Sequence, residues 1–427
     1  YTFAKAKQQL PVPVDASLLQ TYIDLLGAIG WQDEGGVTRP VYSAAWTRAR
    51  EKLAEWMRSA GLEVREDAVG NLFGRLCGRD DNRTILTGSH LDTVPGGGKY
   101  DGALGILAGL AALQALRTQA GQPQRSLEVV ALCEEEGSRF PAHYWGTRAI
   151  LGLIEPAELD NLRDDQGTTI AQAMHAAGFS PERYREAVRH DLAAFIELHI
   201  EQGRSLFEEQ IDVGIVQAIV GLYQQRISVT GRADHAGTTP MDLRRDALQG
   251  AVQMAGDITR LVEQAGRPAV ATLGKWEVKP GAVNVVPEMV HFSLDLRHPD
   301  EKTKQRLAEA ICARCQTIAQ ERGLTILREV LGDSLPSPMD SALQSALIQA
   351  AEACGACWRA MPSGAGHDSQ EMARYLPTAM LFVPSVEGRS HSCVEYTTPE
   401  DAACGAAVLA ATLYGLAYDG GSRGQVL

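Results

Sequence analysis

Apolar and polar positions change their period along the chain. From about Ser43 to His199, short apolar runs alternate with stretches in which apolar residues return every three or four positions. Trp46, Ala49, Leu53, Trp56 and Met57 share one helical face and predict a helix over 45–60. Runs at 71–76, 84–87, 127–132 and 195–199 have strand length, and 102–118 predicts a second helix. Such alternation predicts an α/β fold with a mostly parallel, helix-covered sheet. From about Ala218 the order becomes strand 225–230, amphipathic helix 242–264, strands 270–278 and 290–297, helix 302–322 and strand 324–330. This βαββαβ succession is the split-βαβ, ferredoxin-like unit. Helix and strand patterns resume after Leu335-Pro336-Ser337-Pro338. The expected organisation is a large domain in two parts, 1–217 and 332–427, with a small domain at 218–331 inserted between them.

Composition narrows the function classes. The 427 residues carry 40 basic and 53 acidic side chains, a net charge of −13, which argues against a nucleic-acid partner. A 45% hydrophobic and 22% charged content is that of a globular protein. The longest near-apolar stretch, Ala103 to Leu116, contains Gln114 and falls short of the roughly 18 residues of a membrane span, so it predicts a buried helix. The opening YTFAKAKQQLPVPVD lacks the apolar core of a signal peptide. A cytoplasmic protein without a membrane partner is the expectation. Cys312-x2-Cys315 and Cys354-x2-Cys357 invite a zinc reading, but the pairs stand farther apart than the usual ribbon spacing of about 15–20 residues. Both fall in helical patterns and are expected to be core thiols.

The chemistry gathers behind the apolar runs. TILTG leads into Ser89-His90-Leu91-Asp92, with Asp101 farther on; LEVVAL leads into Glu134-Glu135-Glu136-Gly137; AAFIEL leads into His199-Ile200-Glu201-Gln202; AMLFVPS is followed by Gly388-Arg389-Ser390-His391. Ligand sites of open α/β sheets lie at the carboxyl ends of strands, so these segments are candidates to converge. Imidazoles and carboxylates form a ligand set suited to zinc, manganese and related divalent ions. Three adjacent glutamates repel one another unless positive charge sits among them. No dinucleotide fingerprint, P-loop, HExxH or GxSxG pattern is present.

GSHLDTV, Tyr100-Asp101-Gly102, EEEGSRF, ELHIEQG, DHAGTTPM, NVVP, SGAGHD and SHSCVEYT, in this order from 88 to 398, resemble the amidase/hydantoinase/carbamoylase branch of the di-zinc aminoacylase and carboxypeptidase-like hydrolases. VTRPVYS at 37–43 extends the likeness. The branch includes N-carbamoyl-L-amino-acid hydrolase, β-ureidopropionase and allantoate amidohydrolase. The resemblance implies two divalent metal ions per subunit, zinc or manganese, with cobalt and nickel also suited. His90, Asp101 and His199 would hold one; a bridging Asp101, Glu136 and His391 would hold the other. Glu135 takes the general-base position, although the extra Glu134 leaves a one-residue shift of register open. Asp92 would orient His90 from behind. The inserted domain resembles a lid and dimerisation domain, which implies a homodimer. His235, Asn284 and Arg297 match its substrate contacts, and Gln202, Gly366 and His367 match further substrate positions. Ser392-Cys393-Val394-Glu395 departs from the commoner Ser/Asn-Pro after the metal histidine.

By its own pattern, Arg297 lies on the polar side of an alternating strand, which favours an exposed sheet surface. His235 could equally be a loop residue. The implied activity is hydrolysis of the carbamoyl C–N bond of a small ureido acid, an N-carbamoyl-L-amino acid or allantoate, releasing ammonia and carbon dioxide. Glu135 would move the proton, His235 would steady the oxyanion, and Arg297 would clamp the substrate carboxylate with a planar fork. The alternatives are a metallo-aminoacylase or dipeptidase on the same scaffold, and a binding protein without catalysis.

Overall fold

A computed structural model describes residues 12–418. The reading of the amino terminus as lacking a signal peptide rests largely on 1–11, outside the described residues. The chain separates into two compact units, one of Tyr1–Gln217, Met339–Met361 and His367–Leu427, the other of Ala218–Pro338 and Pro362–Gly366.

In the first unit four strands lie side by side and parallel: Arg125–Leu132, Asp80–His90, Leu192–Ile200 and Thr378–Val383. Antiparallel strands flank them, Leu72–Leu76 and Glu63–Glu66 on one side and Val213–Ile219 on the other. The middle strands are buried almost throughout, as the near-continuous apolar runs require of a sheet covered on both faces. Helix Ala103–Ala120 is buried from Ala103 to Leu113 and again at Leu116. It lies close against the sheet because glycine removes the side chain where it crosses. A Cβ on Gly105 would collide with the Leu198 carbonyl and stand 2.8 Å from Ser89 Cβ.

Strand register then places the chemistry. His90 lies opposite Leu132, Thr87 opposite Ile196, and Phe382 opposite His199. The carboxyl ends of the four parallel strands are therefore level, and the segments that follow them open on one edge.

The second unit is a five-stranded antiparallel sheet in the order Thr325–Ser334, Gly221–Thr230, Met289–His298 and Val270–Thr272, with Trp276–Lys279 also paired to Met289–His298. With Val270–Thr272 and Trp276–Lys279 taken as one interrupted strand, the order along the chain is fourth, first, third, second, the ferredoxin-like order. Burial alternates strictly along Met289–His298. Helices Ala247–Ala265 and Glu301–Glu321 share one apolar core with its inward face. Three local expectations change. The first helix starts at Ala247, not 242, because Asp246 caps it through the N–H groups of Leu248 and Gln249. The run 270–278 breaks into two short strands around Gly274. The last strand passes a bulge at Val330/Gly332 and pairs on to Ser334, so the unit continues beyond 331. Cys315 is buried in helix Glu301–Glu321, whereas Cys357 is exposed beyond Gly355, which ends helix Ser341–Cys354. Among the described residues no helix is long and apolar enough to cross a membrane.

Gly105→Ala is expected to lower stability by about 1–3 kcal/mol through overpacking against the sheet. Gly256→Ala, on a helix face where nothing lies within 4 Å of the added Cβ, is expected to be neutral or mildly stabilising. Thermal unfolding followed by circular dichroism checks both, and an unchanged midpoint for Gly105→Ala would contradict the packing argument.

Candidate metal centre

Each strand end delivers one part. His90 closes its strand, His199 is the next-to-last residue of its own, Glu134–Glu136 follow Leu132, and His391 sits in the loop after Val383. Asp101 lies just before helix Ala103–Ala120. The structure brings four of these side chains, His90, His199, His391 and Glu136, around one carboxylate, that of Asp101. Asp101 Oδ1 lies 3.3 Å from His90 Nε2 and 3.2 Å from His199 Nε2. Its other oxygen, Oδ2, lies 3.4 Å from His391 Nε2, which is 3.5 Å from Glu136 Oε1. Glu135 Oε2 is 3.8 Å from His90 Nε2. Ligand atoms of His90, Asp101 and His199 lie within 4.8 Å of one another, as do those of Asp101, Glu136 and His391, and those of His90, Glu135 and Glu136.

The second nitrogen of each buried ring fixes which face it offers. His90 Nδ1 is 3.0 Å from the Asp92 carbonyl and His199 Nδ1 is 2.9 Å from the Ile200 carbonyl. A carbonyl only accepts, so Nδ1 carries the proton and the Nε2 lone pair faces Asp101. With both rings neutral, lone pair then faces lone pair at hydrogen-bond distance, and the contact calls for positive charge, from a proton on Nε2 or from a cation. A divalent ion fits this donor set, since neutral imidazoles and carboxylates are its usual ligands. The electrostatics also call for positive charge among these carboxylates. Burial opposes charge on His90, but Glu135, Asp101, Asp92 and Glu136 outweigh it and hold its pKa well above the usual imidazole value. Burial would raise the Asp101 carboxyl, yet the three imidazoles hold it well below the usual range. Burial raises Glu135 strongly, with Asp368, Glu136 and Asp92 adding to it against His90.

The three consecutive glutamates divide by hydrogen bonding. Glu134 Oε1 accepts the N–H groups of Arg139 and Phe140 at 3.1 and 2.7 Å, so it ties the following loop. Burial, then the charge of Asp92, lifts its pKa to about 8. Glu135 and Glu136, not Glu134, share the metal-binding groupings. Asp92 acts differently from the expected imidazole orienter. Its backbone carbonyl meets His90, its carboxylate stands 3.9 Å from the ring, and its two oxygens accept the N–H groups of Glu135 and Glu136, each at 3.1 Å. It therefore sets the glutamate pair as well as the imidazole. Gln202, at φ 59°, donates from Nε2 to Asp101 Oδ2 at 2.7 Å and comes within 3.4 Å of His391 Nε2. His367 is buried with its ring centroid 4.5 Å from that of His199. Burial and the charge of His199 hold its pKa well below normal.

The remaining substrate candidates belong to the second unit. His235 is exposed; its backbone bridges Val285, and Ala236 N donates to the Asn284 carbonyl, so DHAG and NVVP are neighbours. His235 Nδ1 accepts from Gly237 N at 3.0 Å, which leaves an N–H on Nε2. Asn284 and Gly366 are exposed. Arg297 is on the open side of its strand, as alternation predicts. Its fork is engaged by Asp295, from Nε at 2.8 Å and Nη2 at 3.1 Å, and Nη1 donates to the Gly364 carbonyl at 2.7 Å. With Gln224, Thr272, Ser293 and Asp295 it lines an open pocket of about 410 Å³.

Several supporting residues escaped the sequence reading. Buried Glu197 accepts from Ser89 Oγ at 2.7 Å and from Ser369 N and Oγ at 3.1 and 2.7 Å. An acid inside the apolar run AAFIEL was its signal. Arg39, in VTRPVYS, is buried; its side chain donates to the carbonyls of Leu91, Leu26 and Ile29, and its N–H to Thr93 Oγ1, so it ties down the segment after His90. Asp368 accepts from Thr147 Oγ1 at 2.7 Å, and burial with the charge of Glu197 lifts it to about 8.

Residues 86–415 match the family described as peptidase family M20/M25/M40. An allantoate amidohydrolase of Bacillus subtilis is 39% identical over 413 residues, covering 96% of this chain and all of that protein. An N-carbamoyl-L-amino acid amidohydrolase of Geobacillus stearothermophilus is 42% identical over 395 residues, covering 92% of this chain and 96% of that one. A crystal structure of a hydantoinase/carbamoylase family amidase from Burkholderia ambifaria superposes with a TM-score of 0.90 at 34% identity, over 96% of this chain and 98% of that one.

Hydrogen bonding to Asp101 and the charge of Glu136 raise His391 to about 9 against burial. Below that value a metal ion must displace its proton. Apparent metal affinity is therefore expected to climb by at least about tenfold per pH unit between pH 7 and pH 9, and more steeply where His90 must release a proton as well. Zinc titration against a competing chelator at pH 7, 8 and 9 checks this, and a flat profile would remove His391 from the ligands.

Proposed function

Because the chain belongs to peptidase family M20/M25/M40, shown by the match over 86–415, we propose that it is a metal-dependent amidohydrolase cleaving the carbamoyl C–N bond of a small ureido acid. One observation carries the reading: Asp101 is shared between two ligand groups, and Glu135 stands beside them. The names of the two relatives supply the substrate class, since allantoate and N-carbamoyl-L-amino acids are both carboxylates bearing a ureido group.

His90, Asp101 and His199 would hold one ion and Asp101, Glu136 and His391 the other, with zinc or manganese suited to the set. When bound, such ions would supply an acidified water and a pull on the ureido carbonyl oxygen, which two nitrogen lone pairs otherwise make unreactive. Glu135 would accept a proton from the attacking water and return it to the departing nitrogen. Asp92 keeps Glu135 and Glu136 in register through their backbone N–H groups. Gln202 and His367 border the reacting group. We assign His235 Nε2–H to the developing oxyanion and Asn284 and Gly366 to substrate orientation. Arg297 retains one N–H on each terminal nitrogen for the substrate carboxylate after its bonds to Asp295 and Gly364. Local charge, not the net −13, then governs binding of an anion. The second unit acting as lid and dimerisation domain, a homodimer, and a cytoplasmic location complete the proposal.

The test is ammonia release by metal-stripped protein reloaded with zinc or manganese, on allantoate, N-carbamoyl-L-amino acids and N-carbamoyl-β-alanine, with an N-acetyl amino acid followed by amine release. Metal-dependent release from a ureido acid is expected. Cleavage of the N-acetyl compound alone would move the chain to the aminoacylases, and tight binding without turnover would make it a binding protein. Glu135→Gln is expected to lower kcat by about 10²–10⁴-fold with its metal content kept; retained turnover would take the base assignment from Glu135. Arg297→Ala is expected to raise KM about tenfold or more with kcat within about threefold; unchanged kinetics would return Arg297 to an ordinary surface role.

A further inference from the structure

Glu395 lies in the segment where the sequence departs from the commoner pattern, and nothing in the proposed reaction uses it. It is buried to 5% exposure, while its neighbours Cys393 and Val394 are exposed. Its Oε1 accepts the backbone N–H groups of Tyr100 and Asp101 at 2.9 and 3.0 Å. Its Oε2 is 2.9 Å from Ser390 Oγ, and that same Oγ is 2.9 Å from Asp101 Oδ2. Room for the carboxylate comes from Gly98, where a Cβ would collide with Oε1. The Gly96-Gly97-Gly98 turn is thus shaped to admit an acid beneath Asp101.

A hydroxyl has one proton. Ser390 stands between two carboxylates and can donate to only one of them at a time. Asp101 Oδ2 also accepts from Gln202 at 2.7 Å and lies 3.4 Å from His391, so it is the crowded oxygen of the centre. We propose that Glu395 is a positioning residue for Asp101. Oε1 pins the backbone on either side of the Tyr100–Asp101 peptide, and Oε2 is the alternative acceptor for the Ser390 proton. When a cation is taken up with Glu136 and His391, the hydroxyl turns to Glu395 and frees Asp101 Oδ2 for the ion. The inference rests on the two-ion reading of the site.

Glu395→Gln separates the two duties. Its amide oxygen can still accept from Tyr100 and Asp101. Its NH2 would donate to Ser390, make the hydroxyl an acceptor there and hold its proton on Asp101 Oδ2. Calorimetric titration of metal-free protein with zinc is expected to show two ions bound by the wild type. Glu395→Gln should keep one at similar affinity and weaken the other tenfold or more, with the unfolding midpoint of the metal-free protein little changed. With Ser390→Ala in the background the effect of Glu395→Gln should fall below threefold, since no proton remains to be misdirected. A Glu395→Gln variant that binds both ions like the wild type, or whose loss persists undiminished in the Ser390→Ala background, would overturn the proposal. Gly98→Ala gives a second route, displacing the carboxylate while leaving its chemistry intact. It should weaken the same ion, and unaltered binding would overturn the proposal even if Glu395→Gln fails to fold. A wild type that takes up no ion would instead overturn the two-ion reading beneath it.

Discussion

The first unit is organised around one electrostatic problem, a buried carboxylate that meets three imidazoles. Asp101 presents one oxygen to His90 and His199 and the other to His391, while Glu135 and Glu136 close the ring. The two buried imidazoles have committed their protons to backbone carbonyls. What remains facing inward is mostly lone pairs, and such a cluster is costly in a low-dielectric interior without positive charge. Protonation of the histidines is one remedy, and bound divalent ions are the other. The acidity of the cluster is therefore the reason it is competent to hold metal.

Holding the cluster open requires both rigid registers and strained corners. Parallel pairing levels the ends of four strands, so that side chains far apart in sequence emerge at one edge. The loops then turn sharply. Glu134, Gln202 and His391 all take positive φ, between 53° and 59°, and Gly102 takes 65° at the start of the long helix. Non-glycine residues in this region cost of order 1–3 kcal/mol each and persist where surroundings dictate them. Here the surroundings can be named. Glu134 is held by the N–H groups of Arg139 and Phe140, and Gln202 by Ser385 and Asp101. Gly102 has no alternative, since a Cβ there would run into the His90 ring.

Much of this was legible in the sequence because buried parallel strands leave an apolar signature that ends where the chemistry begins. That rule pointed to His90, the run Glu134–Glu136 and His199 as candidates, which the structure gathers at one edge, and the ferredoxin-like order of the second unit followed from its periodicity. What stayed hidden depends on torsions and space. Nothing in Glu134-Glu135-Glu136 states which carboxylate turns away, because the positive φ of Glu134 decides it. Asp92 looked like a partner for the His90 ring by proximity, yet its backbone oxygen does that work and its carboxylate is spent on two N–H groups. Glu395 was visible only as part of a departure, and its depth depends on the vacancy at Gly98. Run 270–278 was apolar enough for one strand, but Gly274 allowed a break that pattern alone does not register.

Hydrogen-bond donors offer a way to sort acidic clusters that charge counting lacks. Glu134, Glu197, Asp92 and Glu395 are all buried acids within this unit, and each accepts two or more N–H or O–H donors. An oxygen filled in this way has little left to offer a cation. Glu134, Asp92 and Glu395 are the frame, while Glu197 also stands in a candidate ligand group with His199 and His367. Glu135 and Glu136 take no such donors on their side-chain oxygens among the described contacts, and they face imidazoles instead. Asp101 is the intermediate case, with Gln202 and Ser390 on one oxygen and histidines around both. The bridging role proposed for Asp101 needs that ambiguity, since the carboxylate must be oriented by hydrogen bonds before an ion arrives and released from them afterwards. A hydroxyl poised between two acids can do both, because turning it exchanges one charge-assisted hydrogen bond for another at little cost. In the two-ion reading proposed above, the donors behind the carboxylates therefore matter as much as the carboxylates themselves.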